Sequence, residues 1–285
     1  MAGYSDGIWW SHDGLRLHYR DYPGSDDKAP LICIPGLTRN ARDFAGFAER
    51  FSGRRRIIAV DLRGRGESAY AKDPMTYVPL TYVRDLEALV VELKLERFGI
   101  VGTSLGGLIA MVMAATDAKR LAGVVLNDVG PVLDPIGLAR IRTYVGKGST
   151  WPTWMHAARY LQEGHGDVYP DYEIDDWIAM AKRQAKLTPA GRVVLDYDMK
   201  IAEPFRAANA DAPVDMWPVA AALGAVPVLV VRGERSDILS AAIADEMAAR
   251  IPTVELATIA RVGHTPTLDE PDAVAALEAF LARID

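Results

Sequence analysis

Short apolar, β-branched runs alternating with helical patterns constrain this sequence more than any other feature. Leu31-Ile-Cys-Ile34, Ile57-Ile-Ala-Val60 and Phe98-Gly-Ile-Val101 are each followed by a loop and a helical pattern, near 41–51, 80–94 and 104–117. Val124-Val-Leu126 reads as a further buried strand. Val228-Leu-Val-Val231 and Val254-Glu-Leu-Ala257 come late and precede helical patterns near 240–250 and 271–283. Short runs that are apolar throughout suit strands buried on both faces. Strands of this kind joined by helices predict an α/β chain: a mostly parallel central sheet with helices on both sides. At the N-terminus, Ile8-Trp-Trp10 and Leu15-Arg-Leu-His-Tyr19 flank His12-Asp-Gly14, which predicts a hairpin.

The alternation stops between 132 and 216. This segment is rich in aromatic residues and reads as mostly helical, as in Pro135-Ile-Gly-Leu-Ala-Arg-Ile-Arg-Thr-Tyr144. The expected organisation is one core domain made of 1–131 and 217–285, with 132–216 inserted between two strands over one end of the sheet.

Gly102-Thr-Ser-Leu-Gly106 fits the pattern G-x-S-x-G. An apolar strand precedes it and Leu108-Ile-Ala-Met-Val-Met-Ala-Ala115 follows as a helix. In that setting a serine stands on a sharp strand-to-helix turn, and small neighbours are needed because the turn leaves no room for side chains. The alternative role of Ser104 is a simple helix cap.

A nucleophilic serine needs a base and an acid that orients the base. Of five histidines, His264 lies in Val262-Gly-His-Thr-Pro266, between the last strand and the last helix. That is the strand-end edge of the sheet, where Ser104 also lies. For the acid, Val231-Arg-Gly-Glu-Arg-Ser-Asp237 offers Glu234 and Asp237, with Asp237 preferred. Asp128, in Asn127-Asp-Val-Gly-Pro131, is the reserve because it too follows a strand. A loop salt bridge with Arg232 or Arg235 is the competing role for Glu234 and Asp237.

The chain order Ser104, Asp237, His264 resembles that of the α/β-hydrolases, and the resemblance covers nearly the whole chain. Asp61-Leu-Arg-Gly-Arg-Gly-Glu-Ser68 is similar to a D-x-R-G-x-G-x-S stretch common among them, and Ile34-Pro-Gly-Leu-Thr38 resembles their oxyanion loop. The resemblance implies that 132–216 is a helical cap over the active site. It also implies that the backbone N–H groups of Leu37 and Leu105 form the oxyanion hole. Pro35 departs from members that carry His there, while Gly36 is kept. The implied activity is hydrolysis of a small or medium acyl substrate (a carboxylic ester, lactone or thioester) through Ser104, His264 and Asp237. The alternatives are a carbon–carbon bond hydrolase of ring-fission products and a non-catalytic ligand-binding protein on the same fold.

Composition removes other classes. The net charge of −6 carries no basic stripe of the kind nucleic acid selects. A single cysteine, Cys33, permits no disulfide within the chain. There is no apolar run of about 18 residues and no signal-peptide core in Met1-Ala-Gly-Tyr-Ser-Asp-Gly7, so a cytoplasmic protein is expected, not a membrane one. Gly64-Arg-Gly-Glu-Ser-Ala69 imitates a dinucleotide fingerprint, but no evident helix follows it. Neither a cofactor nor a metal is expected, and the partner is a small molecule.

The candidate substrate-binding residues are Trp151, Trp154 and Trp177 in the insertion, and Arg39 two residues past Leu37. Aromatic walls would favour a neutral acyl group. Arg39 has two possible roles, a rim salt bridge or a bidentate partner for a substrate carboxylate.

Overall fold

A computed structural model describes residues 3–206 and 215–284. Residues 207–214, at the end of the expected insertion, lie outside the described residues. The first strands are β1 (Ser5–Trp10), β2 (Arg16–Tyr22), β3 (Leu31–Ile34), β4 (Ile57–Asp61), β5 (Phe98–Thr103) and β6 (Leu121–Asn127). The segment after β6 adds β7 (Thr150–Trp151), β8 (Ala185–Leu187) and β9 (Val193–Leu195), and β10 (Val228–Gly233) and β11 (Val254–Ile259) close the series. Eight of them form one sheet in the order β1-β2-β4-β3-β5-β6-β10-β11. β1 and β2 form the antiparallel hairpin, β2 joins β4 antiparallel, and every other pair in this sheet is parallel.

The period of two along each strand divides the core into two layers. Ile32, Ile34, Ile58, Val60, Ile100 and Val230 pack on one side of the sheet. Leu31, Cys33, Ile57, Ala59, Val101 and Val231 pack on the other. Helices α1 (Ala45–Phe51), α2 (Pro79–Glu92) and α3 (Leu105–Asp117) follow β3, β4 and β5. α2 and α3 bury Leu86, Leu89, Ile109 and Met111 on the first side. α1 and the last helix, Pro271–Leu281, bury Phe47, Phe51, Leu277 and Phe280 on the second. Each such side chain contributes about 1.5–3 kcal/mol by leaving water, so both layers are needed to hold the sheet.

This strand order places the site. The chain leaves β3 toward β4 and leaves β5 toward β6, in opposite directions along the sheet. The loops at the carboxyl ends of these two neighbours therefore diverge, and a crevice opens between them.

Between β6 and β10 the chain forms α4 (Pro135–Tyr144), α5 (Trp154–His165) and α6 (Ile174–Gln184). The segment is less helical than expected, because β7, β9 and β8 make a small antiparallel sheet of their own. These strands are too short to show a period in sequence. The turn between β8 and β9 is set by Gly191 at φ 71° and by Thr188 N–H donating to Arg192 O at 2.7 Å. α6 starts on a capping box in which Glu173 and Asp176 answer each other's backbone N–H groups. The segment is bonded to the rest of the chain. Asp198 N–H donates to Gly64 O at 2.7 Å, Tyr77 O–H donates to Asp198 at 2.7 Å, and Arg42 pairs with Asp196 at 2.7 Å.

Candidate active site

Ser104 is the first residue after β5 and has φ 51° and ψ −112°, a conformation that costs energy for any residue with a Cβ. The two glycines of the pentapeptide make the turn possible. A Cβ on Gly102 would stand 2.4 Å from Gly106 O, and one on Gly106 would stand 2.1 Å from Ile34 O. Ser104 N–H donates to Asn127 O at 2.9 Å, which fastens the turn to the end of β6. Its side chain makes no capping bond to α3. The hydroxyl is instead 3.0 Å from His264 Nε2.

His264 Nδ1 lies 2.7 Å from Asp128 Oδ2. The imidazole is 7 % exposed and the carboxylate is fully buried. An ionised carboxylate only accepts, so Nδ1 carries the proton and Nε2 is left as the acceptor facing Ser104 O–H. Asp128 Oδ1 accepts from Gly233 N–H at 2.8 Å, so both carboxylate oxygens are used.

The acid in this chain of bonds is Asp128, not Asp237. Asp237 is held by Arg140, with Nε to Oδ2 at 2.5 Å and Nη2 to Oδ1 at 2.8 Å. Burial raises the Asp237 carboxyl, but the hydrogen bonds and charge of Arg140 outweigh it and hold the group below the usual carboxylate range. Glu234, the other option after β10, accepts from Arg261 N–H at 2.7 Å. The reason for the exchange is register. Thr103 of β5 faces Asn127 of β6, so Ser104 and Asp128 are the next residues on adjacent strands and stand level. Asp237 lies four residues past the end of β10, in a loop that turns toward α4. A carboxylate directly after a strand adjacent to the serine's strand was the available signal.

The loop bearing His264 is fastened from several sides. Asn127 Nδ2 donates to Pro266 O at 2.9 Å, and Tyr169 O–H donates to Thr265 O at 2.7 Å. Gly263 N–H donates to Val168 O at 2.9 Å. Tyr169 and Val168 come from the segment between α5 and α6, so that segment helps set where the imidazole sits.

Gly36 brings the loop after β3 beside the serine, since a Cβ there would be 3.8 Å from Ser104 Cβ. Arg65, fully buried, donates from Nε to Leu37 O at 2.9 Å and fixes that residue from behind. The same guanidinium bonds Arg63 O and the Tyr82 hydroxyl. The sequence reading did not anticipate this role of the Asp61–Ser68 stretch. Leu105 opens α3, where the first N–H groups have no partner within the helix. Leu37 N–H and Leu105 N–H make no hydrogen bond among the described residues.

Ser104 and His264 open into a cleft of about 940 Å³, mouth included, whose far wall comes from α4, the end of α5 and α6. Arg140, Tyr144, His165, Tyr169, Met180 and Arg183 line that wall, and Leu37 and Arg39 line the near side. Trp151, Trp154 and Trp177 do not line it, which corrects the expectation for all three. Trp151 and Trp177 are buried with Ala157, Ala158 and Leu161 in a third small core, and Trp154 packs against it. The aromatic residues of this segment pack α5 against α6. Arg39 lies at the cleft and is held by Asp43, with Nε to Oδ2 at 2.6 Å and Nη2 to Oδ1 at 2.7 Å.

Among the described residues one group has the donors for a metal: His12, Asp13 and Asp85. Arg63 already sits on it, paired with Asp85 at 2.6 Å and Asp13 at 3.0 Å. A cation there would have to displace a fully buried guanidinium, so these residues do not fit a metal.

His165 reports the electrostatics of the cleft. Burial first, and then the positive charges of Arg140 and Arg39, push its pKa down to about 4. In the unfolded chain the group titrates near ~6.5. Between these values the unfolded state takes up a proton that the folded state refuses. The contribution to stability is therefore complete above about 6.5 and is lost as pH falls toward 4. After allowance for partial exposure, the loss is on the order of 2 kcal/mol. His165→Gln is expected to flatten this part of the stability profile, read as the difference between the two proteins' urea midpoints from pH 7 down to pH 4. An unchanged difference across that range would contradict the assignment.

The fold and this geometry are those of a hydrolase class, and the chain belongs to the alpha/beta hydrolase family, which matches residues 31–277. It is 33% identical over 272 residues to the 3-hydroxybutyrate-oligomer hydrolase of Cupriavidus necator, covering 93% of this chain and 92% of that protein. It is 26% identical over 274 residues to the 2-succinyl-6-hydroxy-2,4-cyclohexadiene-1-carboxylate synthase of Salmonella heidelberg, covering 95% and 100%. The crystal structure of an alpha/beta hydrolase from Novosphingobium aromaticivorans is similar over 100% of both chains, with 56% identity and a TM-score of 0.95.

Proposed function

We propose that the protein is a serine hydrolase acting on carboxylic esters of small acyl or hydroxyacyl groups through a Ser104–His264–Asp128 triad. The observation that carries this reading is the unbroken line of bonds from Ser104 Oγ through His264 to Asp128, at 3.0 and 2.7 Å. Ser104 Oγ attacks the acyl carbon and its proton passes to His264 Nε2. The imidazolium is held by the Asp128 carboxylate. Negative charge forms on the former carbonyl oxygen, where Leu37 N–H and Leu105 N–H donate, each worth about 3 kcal/mol in the transition state. Collapse of the intermediate expels the alcohol, which takes the proton from His264. Water, activated by the same imidazole, then releases the acid.

The segment 132–216 acts as a cap that shields this chemistry from bulk water, a role supported by its contribution to the wall of the cleft. The choice of esters over lactones, thioesters or carbon–carbon bonds is supported by the 33% identical relative, since a head-to-tail oligomer of 3-hydroxybutyrate is a chain of carboxylic esters. A cytoplasmic location agrees with the single unpaired cysteine, Cys33, and no described helix is long and apolar enough to cross a membrane.

The test is turnover of 3-hydroxybutyrate dimer and trimer beside simple p-nitrophenyl esters, with mass spectrometry of the protein after a fluorophosphonate probe. Release of monomer and one adduct on Ser104 are expected. A chain that hydrolyses none of these and stays unlabelled is not a serine esterase.

A further inference from the structure

We propose that Arg39 and Arg140 form a carboxylate-binding subsite of the Ser104 cleft, so that the preferred substrate is an ester carrying a free carboxylate. This rests on the ester-hydrolase reading and names its substrate class.

Both guanidinium groups line the cleft that holds Ser104 and His264. They come from opposite walls, Arg39 from the loop after β3 and Arg140 from α4. Each is gripped side-on by one carboxylate. Asp43 takes Nε and Nη2 of Arg39, and Asp237 takes Nε and Nη2 of Arg140. This leaves Nη1 of each outside the ion pair; Arg140 also donates to the Tyr144 hydroxyl, which lines the same cleft, so two of its five N–H donors remain. A guanidinium fixed in this way has already lost its rotamer freedom, so a second anion meets preorganised donors. Arginine suits the task because its planar fork matches a carboxylate.

The charge balance of the cleft supports the same conclusion. The whole chain is acidic, with 38 Asp and Glu against 32 Lys and Arg. The lining of the cleft runs the other way: Arg39, Arg140 and Arg183 stand against Asp43 in the lining and Asp237 behind Arg140, an excess of one positive charge. Arg183 makes no ion pair among the described residues. His165, which lines the same cleft, is depressed first by burial and then by the charges of Arg140 and Arg39, in keeping with a positive lining. A neutral apolar substrate would displace water from the donors that these ion pairs do not use and offer them no acceptor, which is costly. The expectation of a neutral substrate came from tryptophans that are absent from the lining.

Asp237 then has a definite task. It is a positioning residue that holds Arg140 over the cleft and takes no part in orienting His264. α4 can approach the Asp237 loop only because residue 137 is glycine; a Cβ there would stand 2.2 Å from Asp237 O.

The experiment compares substrates that differ only in charge. One pair is mono-p-nitrophenyl glutarate and p-nitrophenyl valerate, with the carboxylate on the acyl side. The other is 3-hydroxybutyrate dimer and its methyl ester, with the carboxylate on the alcohol side. The wild-type protein is expected to favour the anionic member of at least one pair by tenfold or more in kcat/KM, about 1.4 kcal/mol. The ratio should fall in Arg39→Gln and in Arg140→Gln through KM, recover in part in Arg140→Lys, and approach one in the double variant. Equal kcat/KM within both pairs, or a preference that survives in the double variant, overturns the subsite. A binding measurement separates this from failure of the hydrolase reading. Calorimetry of 3-hydroxybutyrate dimer with Ser104→Ala should show binding that weakens at least tenfold when Arg140→Gln is added. That result sustains the subsite whether or not any ester is turned over, and undiminished binding refutes it.

Discussion

Ser104→Ala is expected to lose about 10⁴- to 10⁶-fold in ester hydrolysis while keeping its fold. The change removes one hydroxyl and its bond to His264. Alanine keeps the Cβ, so the strained turn at φ 51° is neither relieved nor worsened. The backbone bond from residue 104 to Asn127 O is untouched. Stability should therefore move by less than about 1 kcal/mol, as is usual for a small change away from the core. Two readings on one preparation check this: the urea midpoint, and kcat on an activated ester with the fluorophosphonate adduct as a control. A variant with several percent of wild-type kcat would show that another group performs the attack.

Asp128→Asn is expected to cost about 10⁴-fold in kcat, the size of effect produced when a catalytic histidine is left in the wrong tautomer. Asp128 accepts two bonds, from Gly233 N–H on one oxygen and from His264 Nδ1–H on the other. An amide offers one acceptor and one donor. If its oxygen stays with Gly233, its NH₂ faces His264 and Nδ1 must turn acceptor. Nε2 then carries the proton and points it at Ser104, where no base remains. If the amide is reversed, Gly233 N–H is buried against a donor. Asp237→Asn is expected to cost far less with a neutral ester, about fivefold, because it weakens a partly exposed ion pair worth roughly 1 kcal/mol. The two variants measured side by side on p-nitrophenyl butyrate decide the matter. A larger loss at 237 than at 128 would return the orienting role to Asp237.

The serine turn could be read from sequence because its requirements are local. The strand before Ser104, the helix after it and the absence of side chains at 102 and 106 all lie within a few residues of one another. The parallel sheet was legible for a similar reason. Continuous apolar runs such as Ile57-Ile-Ala-Val60 are buried throughout and need cover on both faces. His264 was recognisable as a loop residue between the last strand and helix. The three short strands of the 132–216 segment were not legible, since two or three residues show no period.

The choice of acid and the lining of the cleft belong to tertiary structure. Asp128 and Asp237 both follow strands, on β6 and β10, which are neighbours in the sheet. Nothing within either loop says which one faces His264. What decides is that Asp128 sits at the strand end itself, level with Ser104, while Arg140, 97 residues away in sequence, claims Asp237. The tryptophans follow the same rule. Their abundance in the segment was visible, but whether a large apolar side chain faces a substrate or its neighbouring helix depends on which surfaces are left uncovered. Here α5 and α6 had to cover each other, so the tryptophans went into their shared core, while Arg140 and Arg183 line the cleft that holds Ser104.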